Sequence, residues 1–285
     1  MEIKEPERLT PVVGEADVIV VGSGPGGLSA AIAAARAGVS VILIERFGCF
    51  GGNITSVGVE GFAWYRHEKT IEAGGLAFEY EQRAIESNAA VPESQSKSYE
   101  LDSEGFKVVA DNLVLKAGVR PMLHRAFCAP ILDGDEIKGV ITESKAGREA
   151  IIGKIIIDAT GDADVARRSG VTVFKNKKED MISASVMFHM SGVNKEEFMN
   201  EIERDPQKYS DWSDKNWQVQ TSGKEDDMFS PFLRKPFEKA KDSGLIDSDL
   251  QTISGTWGAI HDSGELTYLN PVSYTHLTLP TIVSV

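Results

Sequence analysis

Three glycines, Gly22, Gly24 and Gly27, stand in the spacing G-x-G-x-x-G, and Glu45 follows roughly twenty residues later. Ser23, Pro25 and Gly26 complete the loop. Gly22 permits a tight turn out of a strand. At Gly24 a missing side chain lets backbone approach a pyrophosphate, and at Gly27 it lets a helix pack close on a sheet. A helix opening at this loop presents unpaired N–H groups and partial positive charge to phosphates. Glu45 is placed to accept hydrogen bonds from ribose hydroxyls, and its charge disfavours a 2′-phosphate. The pattern reads as a dinucleotide-binding loop without NADP. For the triplet alone, the alternative is a glycine-rich turn in another α/β protein.

Two further stretches bear on the same ligand. Arg46 opens a loop that ends in Gly51-Gly52-Asn53. A paired glycine there lets the chain pass close to an extended ligand, or serves a plain connector. The run Ile155–Asp158 leads into Ala159-Thr160-Gly161-Asp162, a buried-strand pattern ending in small residues that can lie against a cofactor. Asp162 and Asp164 are candidates for cofactor contact or helix capping. Cys49 precedes the double glycine and has no second cysteine near it in sequence, so it reads as an ordinary loop residue. His67, beside Trp64-Tyr65-Arg66, and His189 are each weighed as a site group against a packed or sheet-lining residue, with packing favoured. The tryptophans read as core.

These residues need elements to hold them. Asp17–Val21 has the pattern of a buried strand. Leu28–Ala37 is Ala-rich and helical, with Gly38 suited to follow its end. Val39–Ile44 reads as a second strand. Strand, glycine turn, helix and strand make a βαβ unit with parallel strands. Met1–Glu15 reads as a polar lead-in. Helices are expected over Leu76–Glu86 and Asp102–Ala117, and a strand over Gly118–Leu123. Asp133-Gly134-Asp135 is a hairpin turn signal between Ala129–Leu132 and Ile137–Thr142. Another strand is expected over Ile151–Ile157. Past Gly170 the texture becomes charged, with Trp212, Trp217 and Trp257 scattered through it, as expected of a second domain.

The chain of 285 residues has a net charge of −13 and is 41% hydrophobic, the balance of a soluble globular protein with ample core. Such an acidic chain without a basic stripe disfavours nucleic acid and anionic lipid as partners. Two cysteines and five histidines in no ligand spacing give no metal site. Glycines break the apolar stretch Val18–Ile44, so no membrane span is expected, and a cytoplasmic location is the default.

The motifs VIVVGSGPGGLSAAIAAARAG, LIERFGCFGGN, EGFKVVADNLVLKAGV and IIDATGDADVA together resemble the bacterial FAD-dependent oxidoreductases of the glutathione-reductase-like flavoprotein fold. The resemblance covers residues 10–195 well and 196–270 loosely. It implies that Gly22–Gly27 hold the pyrophosphate of FAD and Glu45 the ribose. Arg46 would lie by the adenine, as would the backbone near Ala126 or Phe127. Gly51–Asn53 would approach the ribityl–flavin part, and Thr160-Gly161-Asp162 would close the adenine side.

The implied architecture is an α/β Rossmann-type FAD-binding domain, a parallel sheet with a βαβ unit and a β-hairpin or meander insertion. It is expected over residues 1–172, with a helical insertion about 54–98. A partial α+β substrate domain is expected over 173–271. Residues 272–285 carry no Asp, Glu, Lys or Arg. Their run VSYTHLTLPT resembles a translated sequencing adaptor, so this tail is expected to be non-native, with native sequence ending near Asn270 or Pro271 and a C-terminal part missing. The resemblance implies hydride transfer between a small-molecule substrate and flavin N5, with the chain as it stands expected to be inactive. The alternatives are an FAD-binding structural or electron-relay subunit of a redox complex, and an NAD-dependent dehydrogenase. A redox partner or a second copy of the chain is a possible associate.

Overall fold

The computed structural model describes residues 3–4, 6–61, 66–67, 71–72, 74–92, 99–177, 184–204, 238–246, 256–272 and 282–283. The first strand, β1 (Val12–Val21), runs into helix α1 (Pro25–Arg36) and then β2 (Val41–Ile44). A short π-helical turn (Asn53–Val57) precedes the small strands β3 (Arg66–His67) and β4 (Ile71–Glu72), helix α2 (Leu76–Glu86), and strands β5 (Ala90–Pro92) and β6 (Tyr99–Leu101). Helix α3 (Ser103–Lys116) leads to β7 (Arg120–Met122), β8 (Ala126–Asp133), β9 (Glu136–Ser144), β10 (Gly147–Asp158) and helix α4 (Asp164–Arg168). Then follow β11 (Phe174–Lys175), β12 (Ala184–Met190), α5 (Lys195–Arg204), β13 (Thr256–Ile260), β14 (Leu266–Val272) and β15 (Ile282–Val283).

By contact the chain divides into two compact units. One contains the described residues up to Gly52 together with Ala110–Phe174; the other contains Asn53–Val109 and Lys175–Val283. The segment 54–98 therefore groups with the second unit. It holds the strand pair β3 and β4, the α2 helix, and β5, which pairs with β6 just beyond it.

The first unit is built on one sheet in the order β7-β2-β1-β10-β9-β8. The four strands β7, β2, β1 and β10 are parallel, and β9 and β8 continue antiparallel as the meander. Strand β1 is longer than its apolar run Asp17–Val21. Glu15 and Ala16 pair with Ile152 and Gly153 of β10, so part of the polar lead-in joins the sheet.

Apolar residues fill both faces of β1 and β2, as in sheets covered on both sides. Ile19, Val21, Ile42 and Ile44 share one core with Met122, Val140, Ile151 and Val165. Helix α1 packs on β1 and β2 and buries Leu28, Ala31 and Ile32. The helix starts three residues before Leu28 because Pro25, with its fixed φ, suits the first helical position. At its other end Gly38 takes φ +89°, as a residue following a helix commonly does. The hairpin turn at Gly134-Asp135 joins β8 to β9 as its sequence requires.

The second unit contains an antiparallel sheet in the order β12-β14-β13. Of the tail expected to be non-native, Val272 ends β14 opposite Ala184 and Ile282–Val283 form β15. Residues 273–281 and 284–285 lie outside the described residues.

Candidate cofactor site

The glycine loop turns directly from β1 into α1. Its glycines divide by what a side chain would meet. A Cβ at Gly22 would run into the Ala159 carbonyl, and one at Gly27 into the Gly22 carbonyl. These two positions are closed by the protein's own backbone, where strand, turn and helix converge. At Gly24 and Gly26 a Cβ would meet nothing within 4 Å. Gly24 is in an extended conformation that any residue adopts, so neither packing nor backbone strain requires glycine there. The open face at Gly24 and Gly26 is what a closely approaching ligand backbone needs. Leu28 N–H donates to the Gly24 carbonyl at 2.9 Å and is the first intrahelical donor. The N–H groups of Gly26 and Gly27 thus have no acceptor inside the helix, at its positive end.

Glu45 is buried at the end of β2. Its Oε2 accepts the Ser23 N–H at 2.9 Å and the Ser23 hydroxyl at 2.5 Å. Its Oε1 accepts the Phe47 N–H at 2.9 Å. A carboxylate oxygen accepts two hydrogen bonds, so Oε1 retains capacity for one more donor. Ser23 therefore acts through its side chain as well as its place in the loop.

The chain around Glu45 gathers the other expected residues of the first unit. Arg125 N–H donates to the Glu45 carbonyl at 2.9 Å, and His124 N–H to the Phe47 carbonyl at 3.1 Å. This places the start of β8, Ala126 and Phe127, beside the Glu45–Phe47 segment. Arg46 lies over the Phe47 ring, 4.7 Å from its centroid. Gly51 N–H donates to the Ser23 carbonyl at 2.9 Å, and a Cβ at Gly52 would come within 2.6 Å of Gly24 Cα. Gly52 is thus required by close packing on the glycine loop itself, while Gly51 takes φ +114°, which favours glycine. Asn53 begins the π-helical turn, and its carbonyl accepts the Val59 N–H at 3.0 Å.

The small-residue turn after β10 is organised by Asp158. Its Oδ1 accepts the Thr160 N–H at 3.1 Å and the Thr160 hydroxyl at 2.7 Å, while Oδ2 accepts the Ala166 N–H at 2.9 Å. Thr160 Oγ1 in turn accepts the Asp164 N–H at 3.0 Å. The first turn of α4 is therefore held by Asp158 and Thr160, and the capping reading of Asp162 and Asp164 is corrected. Ala163 stands at the start of α4 with φ +47° and no side-chain cap. Burial pushes the Asp162 carboxyl above the usual range, Asp164 and Asp158 add to this, and Arg46 opposes it.

Some candidates separate from this cluster. Cys49 is in no disulfide. His67 lies on β3, and its side chain is outside the described residues, as are those of all the tryptophans. His189, read as packed or sheet-lining, has a partly exposed side chain on β12, with Nδ1 2.6 Å from Glu265 Oε1. Two features had no signal in sequence. The ring of His124, a residue at φ +54°, lies against Gly48. In the second unit, a buried cluster forms around Glu60, with Ser103, His261 and Thr267. Among the described residues no group of acids, histidines or cysteines is placed to hold a metal ion, and no helix is long and apolar enough to cross a membrane.

A parallel sheet with this glycine turn at the β1–α1 junction and a buried acid ending β2 defines a dinucleotide-binding protein of the Rossmann type. The sequence profile of the family "FAD dependent oxidoreductase" matches residues 17–275. The chain belongs to this family, and its cofactor is FAD.

Relatives include the thiamine thiazole synthase of Saccharolobus islandicus, 31% identical over 163 residues, which are 53% of this chain and 57% of that protein. Another is digeranylgeranylglycerophospholipid reductase 2 of Methanopyrus kandleri, 30% identical over 192 residues, 64% of this chain and 46% of that protein. The chain thus spans about half the length of these relatives. Among solved structures, a geranylgeranyl bacteriochlorophyll reductase-like protein of Thermoplasma acidophilum superposes with a TM-score of 0.46 at 20% identity, over 64% of this chain and 48% of that one.

Proposed function

We propose that this protein is a flavoenzyme that exchanges a hydride between a small-molecule substrate and FAD, with FAD lying along the cluster around the glycine loop. The observation that carries the reading is the split among the loop glycines. Gly22 and Gly27 are closed by backbone, whereas Gly24 and Gly26 face open space beside N–H groups of α1 that have no acceptor inside the helix. Glycines that packing does not require are accounted for by a ligand whose own backbone must come close.

When bound, FAD supplies two-electron chemistry at N5. The chain's residues do the holding. The α1 N-terminus attracts the pyrophosphate. Glu45, fixed by Ser23 and Phe47, offers Oε1 to a ribose hydroxyl. The start of β8, at Ala126 and Phe127, and Arg46 border the adenine end. Thr160–Asp162 close the adenine side, and Gly51–Asn53 border the path toward the flavin.

Titrating the purified chain with FAD and with NAD, followed by flavin fluorescence and by calorimetry, tests the binding. FAD binding without NAD binding is the expected result; the reverse sinks the proposal. Anaerobic bleaching of the bound flavin by a small-molecule donor supports the enzyme reading. Bleaching only by a reduced protein partner supports an electron-relay subunit instead.

A further inference from the structure

We infer that Glu60 and His261 form a pH-sensitive latch that fastens the segment Gly58–Gly61 within the second unit. The inference rests on that unit alone and does not depend on the FAD reading.

Glu60 is buried and follows the π-helical turn. Its carboxylate collects donors from three separate elements. Oε1 accepts the Ser103 N–H, at the start of α3, at 3.1 Å. Oε2 accepts the hydroxyl of Thr267 on β14 and lies 3.1 Å from Nε2 of His261, just past β13. The backbone is tied as well, since Leu101 N–H donates to the Glu60 carbonyl at 3.3 Å and Gly61 bridges to Glu100. One carboxylate therefore joins the 58–61 segment to the start of α3 and to the sheet β12-β14-β13. A buried carboxylate deprived of its donors is strongly disfavoured. The segment stays in place only while those donors hold.

Of the three donors, only the imidazole changes charge near neutral pH. As the cation it makes a charge-assisted bond; neutral, it donates a weaker one. The charged groups around it favour the cation. Glu100 and Asp102 both bias it toward protonation. Asp262, next in the chain, is engaged by Lys195 at 3.0 Å. Glu265 accepts the His261 N–H through its backbone carbonyl, while its carboxylate faces His189.

Burial pushes the Glu60 carboxyl upward, but hydrogen bonds from His261, Thr267 and Ser103 outweigh it and hold it at about 2. The bond to Glu60 raises His261 above its ordinary 6.5, against burial, with Glu100 and Asp102 adding to the rise. The lowered Glu60 value means its contribution is complete above the ordinary 4.5 and is lost as pH falls toward about 2. The raised His261 value means its contribution is complete below 6.5 and is lost as pH rises through the raised value. The latch therefore loosens as pH rises through the raised His261 value.

Hydrogen exchange of the full chain, at about pH 6 and about pH 9 and corrected for intrinsic rates, tests this. Peptides spanning 58–61 and 256–267 should exchange on the order of tenfold faster at the higher pH. In His261→Gln, whose amide still donates, that pH response should vanish. An equal response in wild type and His261→Gln, or none in wild type, overturns the latch. Independently, the imidazole of His261 in the wild-type chain should titrate above 6.5, and in Glu60→Gln its midpoint should fall. A wild-type midpoint at or below the ordinary value refutes the inference, whether or not the variants fold.

Discussion

Glu45 in the first unit and Glu60 in the second are both buried glutamates, yet their surroundings prepare them for different work. Glu45 takes its donors from Ser23 and Phe47, within 22 positions along the chain. It keeps an acceptor site in reserve at Oε1. Glu60 takes its donors across 43, 201 and 207 positions, and one of them is an ionisable imidazole. A carboxylate held by neighbours and left with spare capacity suits a ligand. One encircled by distant segments ties the fold together. Burial and charge alone do not separate the two roles; the origin of the donors does.

The contrast is broken most severely at Glu60. Replacing it with Ala removes one partner of a buried charged cluster, a class of change that costs about 3–5 kcal/mol. The expected outcome is a large drop in thermal stability and loss of exchange protection in the second unit. A melting temperature within a degree or two of wild type would place Glu60 among dispensable contacts.

Glu45→Ala should act on the ligand instead. Loss of a hydrogen bond to a charged acceptor corresponds to about 1.5–3 kcal/mol, so FAD affinity should fall roughly 10- to 100-fold. Apoprotein titration measures it. An unchanged dissociation constant would show that the spare position on Oε1 stays unused.

The glycine loop offers a finer division. Gly24→Ala adds a methyl group to open space, so the fold should hold while FAD affinity drops on the order of tenfold. Gly27→Ala meets the Gly22 carbonyl and should lower stability itself. Equal melting temperatures for the two variants would erase the distinction between ligand-facing and packing glycines.

The smallest effect is expected at Asp162. Its carboxyl is raised, so above the ordinary 3.8 its ionisation weakens the folded state, and the penalty is complete once pH exceeds the raised value. Asp162→Asn should leave the neutral-pH melting temperature unchanged or slightly higher. A clear loss of stability would mean that the carboxylate makes a favourable contact.

Much of the first unit was legible because its determinants are local. The apolar runs of β1 and β2 and the turn at Gly134 each carry their signal within a few residues, as does α2 at Leu76–Glu86 in the second unit. The extension of β1 back to Val12 was not legible. Those residues gain their partners from β10, more than a hundred positions away, so their own polarity misleads. Asp158 was passed over for Asp162 and Asp164 because capping usually comes from the residue beside the helix. Here a strand-end carboxylate reaches across the turn to Ala166.

The sequence by itself determined the βαβ unit, the dinucleotide loop and its acid, because glycine spacing and apolar periodicity act over distances the local chain controls. Only the tertiary structure decided which glycines face open space and which face backbone, since at Gly22 and Gly52 that depends on Ala159 and Gly24 arriving from other parts of the chain. It alone brought His261 and Thr267 to Glu60. Burying a carboxylate demands donors, but no rule of spacing says from where along the chain they must come.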